Sequence, residues 1–311
     1  EPPHTRRHGP HSQSDGVDAL IGGGISLPAG ATQSHHKDHD EWEIPPTPTI
    51  ESVRRETGAE SDIPLVAVKT LPRYAQQVLH PIPSLNRLQS SCFQSAFHSS
   101  ENLLVCAPTG SGKTNVAMLT VLRELGRHLV NGSLPPDAEP FKIVYLAPLK
   151  ALATEVTTKF SRALSVLGVK VKELTGDTKL SRAEIAKVHI LVATPEKWDV
   201  MTRKSGDIAL TSQLRLLIID EVHLLHEERG AVLETLVVRT LRQMELTQSM
   251  IRIAALSATL PNYRDVAAFL HVEESGLFFF DSAYRPVPLA QHFIGVKKQQ
   301  NPYHEKSIMT N

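Results

Sequence analysis

Two groups of residues carry side chains suited to a phosphorylated, metal-bound ligand. Residues 107–114 read A-P-T-G-S-G-K-T. Gly110 and Gly112 permit positive φ and let backbone N–H groups approach phosphate oxygens, with Thr109 and Ser111 in the same loop; the helix expected next offers its positive N-terminal end. Lys113 has the reach and charge for the β- and γ-phosphates, and the Thr114 hydroxyl is a ligand for Mg²⁺. About a hundred residues on, 220–223 read D-E-V-H directly after L-L-I-I. Asp220 is suited to hold the metal through water and Glu221 to polarise an attacking water as general base. His223, too far along to share the metal, is expected to relay nucleotide state to neighbouring segments; a buried structural histidine is the alternative. The chemistry these groups suit is hydrolysis of a nucleoside triphosphate with Mg²⁺, and a chance glycine turn or a capping acidic pair is the bland alternative for each group taken alone.

These groups need a scaffold that brings them to one place. Short apolar runs at 102–106, 142–147, 170–174, 189–193, 214–219, 251–256 and 277–280 read as strands, and several are apolar throughout, as strands covered on both faces must be. Amphipathic stretches at 115–125, 149–167, 181–187, 195–202, 230–244 and 263–270 read as helices. Before the phosphate loop, helical patterns begin at Leu71 and Ser84, separated by a P-I-P break. The alternation predicts an α/β fold, a mostly parallel sheet with helices on both faces. In such sheets ligands bind at the carboxyl ends of the strands, where the loop, Asp220 and Ser257 all fall.

The loop departs from the general pattern G-x-x-x-x-G-K-[ST], having Ala107 at its first position, and A-x-T-G-x-G-K-T is the form used by superfamily-two helicases. With D-E-V-H at 220–223 and S-A-T at 257–259, it resembles motifs I, II and III of the DExH-box superfamily-two helicases. P-L-K-A-L at 148–152, T-G-D at 175–177 and T-P-E-K at 194–197 are similar to the segments that line the nucleic-acid track in that family. The likeness runs from Leu27 to Val296 and is closest in wording to the Ski-type helicases built from two cassettes; segments 202–207, 247–253 and 276–281 point to one branch of that group. It implies a RecA-like P-loop domain at 71–290, preceded by an extended strap at 25–70. It also implies that Gln89, in L-N-R-L-Q, reads the adenine edge. Pro148, Lys150, Thr175, Gly176, Thr194 and Pro195 would grip the backbone of single-stranded RNA or DNA, with Arg203 and Lys204 extending the row. Ser257 and Thr259 would bond toward the acidic motif and couple hydrolysis to strand movement. Pro148 and Pro195 as strand-to-helix punctuation, and Lys150 as a solvated helix residue, remain the plain alternative. Thr32-Gln33 stand where the family carries a basic residue in the strap.

Composition sets the outer limits. The 311 residues carry 33 Lys plus Arg and 33 Asp plus Glu, so nucleic-acid binding has to come from a local patch. Two cysteines, Cys92 and Cys106, read as small core residues in a reducing compartment, the nucleus or the cytoplasm. No apolar run is long enough to cross a membrane. Residues 1–24 are expected to be a disordered tail, and the cluster His35, His36, Asp38, His39 and Asp40 a solvated loop without zinc-site spacing. Residues 291–311 read as a truncated lead into a second RecA-like domain, whose Arg-rich motif is absent, so the chain alone is expected to turn ATP over slowly. The expected partners are nucleic acid and the subunits of a multiprotein complex. An ATP-binding scaffold or sensor without hydrolysis is the competing class, which the intact Lys113, Thr114, Asp220 and Glu221 argue against.

Overall fold

The computed structural model describes residues 31–36, 39–45, 64–178, 180–203, 208–227 and 229–296, and divides into two compact units: 49–286, and 1–48 with 287–311. In chain order the elements are β1 (Thr32–His35), β2 (His39–Ile44), α1 (Arg73–Leu79), α2 (Arg87–Phe93), β3 (Leu103–Cys106), α3 (Lys113–Gly126), β4 (Lys142–Leu146) and α4 (Lys150–Leu164). There follow β5 (Val171–Leu174), α5 (Arg182–Ala186), β6 (Ile190–Ala193), α6 (Pro195–Thr202), α7 (Ile208–Ser212), β7 (Leu214–Ile219) and α8 (Gly230–Thr247). The last are β8 (Arg252–Ser257), α9 (Tyr263–Phe269), β9 (Leu277–Phe279) and β10 (Gln291–Val296).

The larger unit is built on a seven-stranded sheet in the order β5-β6-β4-β7-β8-β3-β9, and every pairing in it is parallel. Its inner strands are apolar over most of their length because both faces are covered; the charged residues Lys142, Arg215 and Arg252 lie at or near their amino-terminal ends. Along β4, Ile143 and Tyr145 enter one core and Val144 and Leu146 the other; β3 and β7 divide their residues the same way. One core is completed by α1 to α4, through residues such as Leu88, Leu119 and Phe160, and the other by α6, α8 and α9, through Trp198, Leu236 and Ala267. The α/β fold read from the sequence is therefore the observed one. Helix α3 starts two residues earlier than its apolar pattern, at Lys113, and α7 has no counterpart among the predicted helices.

The amino-terminal edge of the sheet carries buried cations. Lys142 donates its ammonium to the carbonyls of Ala186 and Val188. Arg252 donates to the carbonyls of Ser95, Ala96 and Glu101, closing the wide-turn helix Gln94–His98 that continues α2. Each cation is thus solvated by backbone carbonyls in place of water. Both cysteines are buried and unpaired in disulfides.

The smaller unit contains an antiparallel sheet in the order β1-β2-β10. Residues 32–35 and 39–44, expected within an extended strap, pair as antiparallel strands, and of the histidine cluster expected as a solvated loop His35, His39 and Asp40 lie on those strands, while Asp38 lies outside the described residues. The run H-H-K-D-H-D hides the alternation that would have revealed strands, because both faces are polar at that end. Asp40 and Trp42 are buried. β10 lies where the chain was expected to lead away toward a second domain. The expected tail at 1–24, the strap at 25–30 and 46–63, and the residues after 296 lie outside the described residues. No helix among the described residues is long and apolar enough to span a membrane.

His189 gives the larger unit an acid limit. Burial, then the charges of Lys142 and Lys170, push its imidazole down to about 4, while its Nδ1 accepts the Lys170 N–H at 3.0 Å. The folded value lies below the unfolded one, so protonation favours unfolding. This contribution to stability is complete above about pH 6.5 and is lost as pH falls toward 4. Urea unfolding followed from pH 7.5 to 4.5 should show falling stability, with a shallower fall in His189→Gln.

Candidate nucleotide and nucleic-acid site

Because all seven strands run the same way, their carboxyl ends form one edge. From β5 to β3 that edge presents Thr175-Gly176, Thr194-Pro195, Pro148-Lys150, Asp220-Glu221, Ser257-Ala258 and the loop 107–112. Register carries this to the residue: Cys106 pairs with Ser257, and Ile219 with both Leu146 and Ala255. The track residues thus occupy three adjacent strand ends and the phosphate and acidic groups the next three.

The loop between β3 and α3 is held open by its glycines and braced from outside. Gly110 and Gly112 have φ of 83° and 96°, and Gly112 forms the N-cap of α3. A Cβ on Gly112 would stand 2.5 Å from Gln89 Nε2 and 2.9 Å from Asn86 Nδ2, so the site admits only glycine. Those two amides are the brace: Asn86 Nδ2 donates to Ser111 O at 2.9 Å and Gln89 Nε2 to Gly112 O at 3.2 Å. Asn86 and Gln89 are in turn locked by a reciprocal capping box at the start of α2. Gln89, expected to read a base edge, is buried and has both ends of its amide engaged with protein. Ser111 Oγ donates to Pro108 O at 2.6 Å, tightening the turn; Thr109 and Gly110 are exposed, and Thr114 is half-buried in the first turn of α3. Lys113 folds back on its own loop, donating to Ala107 O at 2.8 Å and Pro108 O at 3.2 Å. Burial lowers its pKa, and the charges of Glu221 and Asp220 raise it again, so the three groups share one electrostatic neighbourhood.

Asp220 has both carboxylate oxygens occupied. Oδ1 accepts the Glu221 N–H at 3.0 Å and Oδ2 the Tyr145 hydroxyl at 2.6 Å. Burial pushes its carboxyl up from the usual range, and the Tyr145 hydroxyl is the first of the contacts that draw it back. Glu221 sits at φ 51°, ψ 48°, a left-handed conformation unusual away from glycine and concentrated at functional sites. Its carboxylate lies 3.3 Å from His223 Nδ1, and the same nitrogen lies 3.4 Å from the Ala258 N–H. One ring nitrogen cannot donate to the first and accept from the second at once, so the tautomer of His223 selects its neighbour. Ser257 and Thr259 were expected to bond toward the acidic motif, and neither side chain does so in the structure. The Ser257 hydroxyl is buried without a hydrogen-bond partner, beside the Cys106 thiol, and Thr259 is exposed. It is the Ala258 backbone that meets the acidic motif.

The track residues are tied to one another. Lys150 pairs with Asp177 at 2.7 Å, above Gly176, where a Cβ would touch the lysine stem at 3.5 Å. Thr175 is buried, its hydroxyl on Glu173 and its N–H on Thr178 Oγ1. Thr194 is the N-cap of α6 without a side-chain capping bond, and Pro195 is the first residue of that helix, so the punctuation reading also applies to it. Arg229 bridges two of the segments, donating to Pro148 O at 2.7 Å and approaching Glu196 at 3.5 Å. Arg203 was expected to extend the row, but its guanidinium makes a two-pronged pair with Asp199, at 3.1 and 2.8 Å. Residues 204–207 lie outside the described residues.

Comparison with known proteins gives the family to which this fold belongs. Residues 86–266 match the model of the DEAD/DEAH box helicase family. The chain belongs to that family. It is 53% identical over 300 residues to activating signal cointegrator 1 complex subunit 3 of Gallus gallus and 51% identical over 298 residues to the Homo sapiens protein. It is also 53% identical over 284 residues to the DExH-box ATP-dependent RNA helicase DExH14 of Arabidopsis thaliana. These alignments cover 94, 93 and 89% of the chain but only 13% of each relative's length. The branch indicated by segments 202–207, 247–253 and 276–281 is that of the cointegrator subunit. In fold, the chain is similar to the DUF1998 helicase MrfA bound to DNA and AMPPNP, with a TM-score of 0.60 and 21% identity over 84% of this chain and 34% of that one.

Three residues of this helicase domain's site were missed in the sequence. Tyr145 reads as one more apolar strand residue, and nothing local marks its hydroxyl. Asn86 was legible as a cap, since N-x-x-Q is a capping-box pattern, but not as a brace for a loop 25 residues away. Arg229 lies in a polar turn without a pattern.

Tyr145→Phe removes only the hydroxyl on Asp220. It is expected to reduce the gain in nucleotide affinity that Mg²⁺ provides by about tenfold, read by titrating a fluorescent ADP with and without Mg²⁺. An unchanged gain would show that Tyr145 is merely packed there. Gly112→Ala should weaken nucleotide binding in the same assay by displacing the Asn86–Gln89 brace, with the thermal midpoint lowered as well.

Proposed function

We propose that this helicase domain is the nucleotide-binding half of a motor that hydrolyses ATP to move along single-stranded RNA or DNA and unwind it, 3′ to 5′. The observation that carries the reading is that Lys113, Asp220 and Glu221 interact electrostatically on the strand-end edge that also bears the track segments. The family uses ATP, and the loop fits a triphosphate: two glycines at positive φ shape its backbone, Lys113 stands beside it and the N-terminus of α3 follows it. The acidic pair and Thr114 form an oxygen donor set suited to Mg²⁺, which when bound would neutralise phosphate charge.

In this reading the loop N–H groups and Lys113 hold the phosphates, while Asp220 and Thr114 hold the metal. Glu221 takes the proton of the attacking water, the left-handed backbone aiming its carboxylate. His223 senses the change, since a shift of its Nδ1 between Glu221 and the Ala258 N–H moves the end of β8. Pro148, Lys150, Thr175, Gly176, Thr194 and Pro195 support the strand through backbone groups and hydroxyls, a contact type that positions nucleic acid without reading its sequence. Closure of a second RecA-like domain over this edge would complete the cycle. By its likeness to the cointegrator subunit, the whole protein is proposed to work in a multiprotein complex of the nucleus or cytoplasm, with roles in DNA repair and ribosome quality control.

Lys113→Ala in the full-length protein should lower nucleic-acid-stimulated ATP hydrolysis by at least about 10²-fold and abolish unwinding. Normal unwinding by that variant would refute the assignment of the loop. An intact wild-type protein whose ATPase ignores single-stranded RNA and DNA alike would favour a nucleotide-dependent scaffold instead.

A further inference from the structure

The hairpin of β1 and β2 gathers side chains that the nucleotide site does not use. Its register pairs Ser34 with Glu41 and His35 with Asp40, and the His36 N–H donates to the His39 carbonyl at 2.9 Å to close the turn. His36 and His39 therefore oppose each other across the tip. Side chains alternate along a strand, so Asp40 and Trp42 share the buried face and His39 and Glu41 project from the other, alongside His36.

Their geometry converges. The two imidazole rings stack with centroids 4.6 Å apart, and the Glu41 carboxylate reaches to 3.0 Å from His39 Nε2 and 3.9 Å from His36 Nε2. One ligand atom from each of the three lies within 4.8 Å of the others. A tetrahedral ion with bonds of about 2.0–2.1 Å holds its ligand atoms roughly 3.3 Å apart, so small rotamer changes bring the three into place. On the opposite face, His35 Nδ1 and Asp40 meet at 2.9 Å and fix the backbone from which the ligands project. The side chains of His36, His39 and Glu41 are 48, 30 and 46% exposed, which leaves an ion free to enter.

We propose that His36, His39 and Glu41 form a binding site for a divalent transition metal of the zinc class, with the remaining coordination position held by water. Two imidazoles and one carboxylate favour Zn²⁺, Ni²⁺ or Cu²⁺ over the oxygen-seeking Mg²⁺ of a nucleotide site, so the two ions would not compete for one place. A bound ion clips the two strands together at the turn. The site is independent of ATP hydrolysis.

The 311-residue chain, stripped with chelator and free of nucleotide, is titrated with Zn²⁺ by isothermal calorimetry. One equivalent should bind, be lost in the His36→Ala/His39→Ala double variant, and bind at least about tenfold more weakly in Glu41→Gln, which preserves the hairpin's backbone bonds. The other 13 of the chain's 15 histidines stay in place in the double variant and serve as the internal control for adventitious binding. Equal Zn²⁺ stoichiometry and affinity in wild type and double variant would overturn the proposal, as would wild-type affinity in Glu41→Gln.

Discussion

The pairing of seven strands in one direction is the constraint on which the rest of the molecule depends. It forces every strand-to-helix turn onto the same edge, so a loop near residue 110 and a carboxylate pair near 220 meet without any long-range contact made for the purpose. It also dictates composition. A strand with helices above and below has no wet face, and Ile143 to Leu146 feed two cores in turn. The chemistry-bearing residues are those that begin where this apolar requirement ends, one position past Cys106, Ile219 and Ser257.

At that edge Lys113 and Asp220 are held by polar groups of the protein rather than by water. Lys113 leans on two carbonyls of its own loop while the acidic pair lies near enough to affect its ionisation. Asp220 is held by a phenol and a backbone N–H, one on each oxygen, so its orientation is fixed before any ligand arrives. In the proposed hydrolysis, fixing these groups in advance would remove reorganisation from the reacting step, which is where preorganised sites gain most of their effect. The same economy is visible at the far edge, where Lys142 and Arg252 rest on helix-end and turn carbonyls.

Much of this was legible in the residues. Long apolar runs and 3.6-residue periodicity gave strands and helices to within a few positions, because in this fold burial and local pattern agree. The loop and the acidic pair were legible because their residue types are chemically restrictive, whereas the segments at 148–152, 175–177 and 194–197 were picked out by resemblance alone. What escaped reading depends on contacts between distant segments. The Asn86–Gln89 brace is a local cap whose second partner lies across the fold, Tyr145 is hidden among apolar strand residues, and the contact to the acidic motif expected of Ser257 is made by the Ala258 backbone. Arg203 was open to a better reading: Asp199, four residues earlier on the same helix, is an obvious partner. The strands at 32–35 and 39–44 were obscured because ten polar residues in succession, 32–41, carry no hydrophobic alternation.

The central strand of the smaller sheet, β2, has neighbours on both sides, and one of them, β10, comes from some 250 positions later in the sequence. Chain entering the nucleotide domain is therefore stitched to chain leaving it. Trimming the N-terminal segment back to the start of the larger unit would strip β10 of its only recorded ladder among the described residues and bare its backbone amides beside Phe293 and Ile294, an invitation to intermolecular strand pairing. Fragments of this region made for study are better cut upstream of Thr32 than after it.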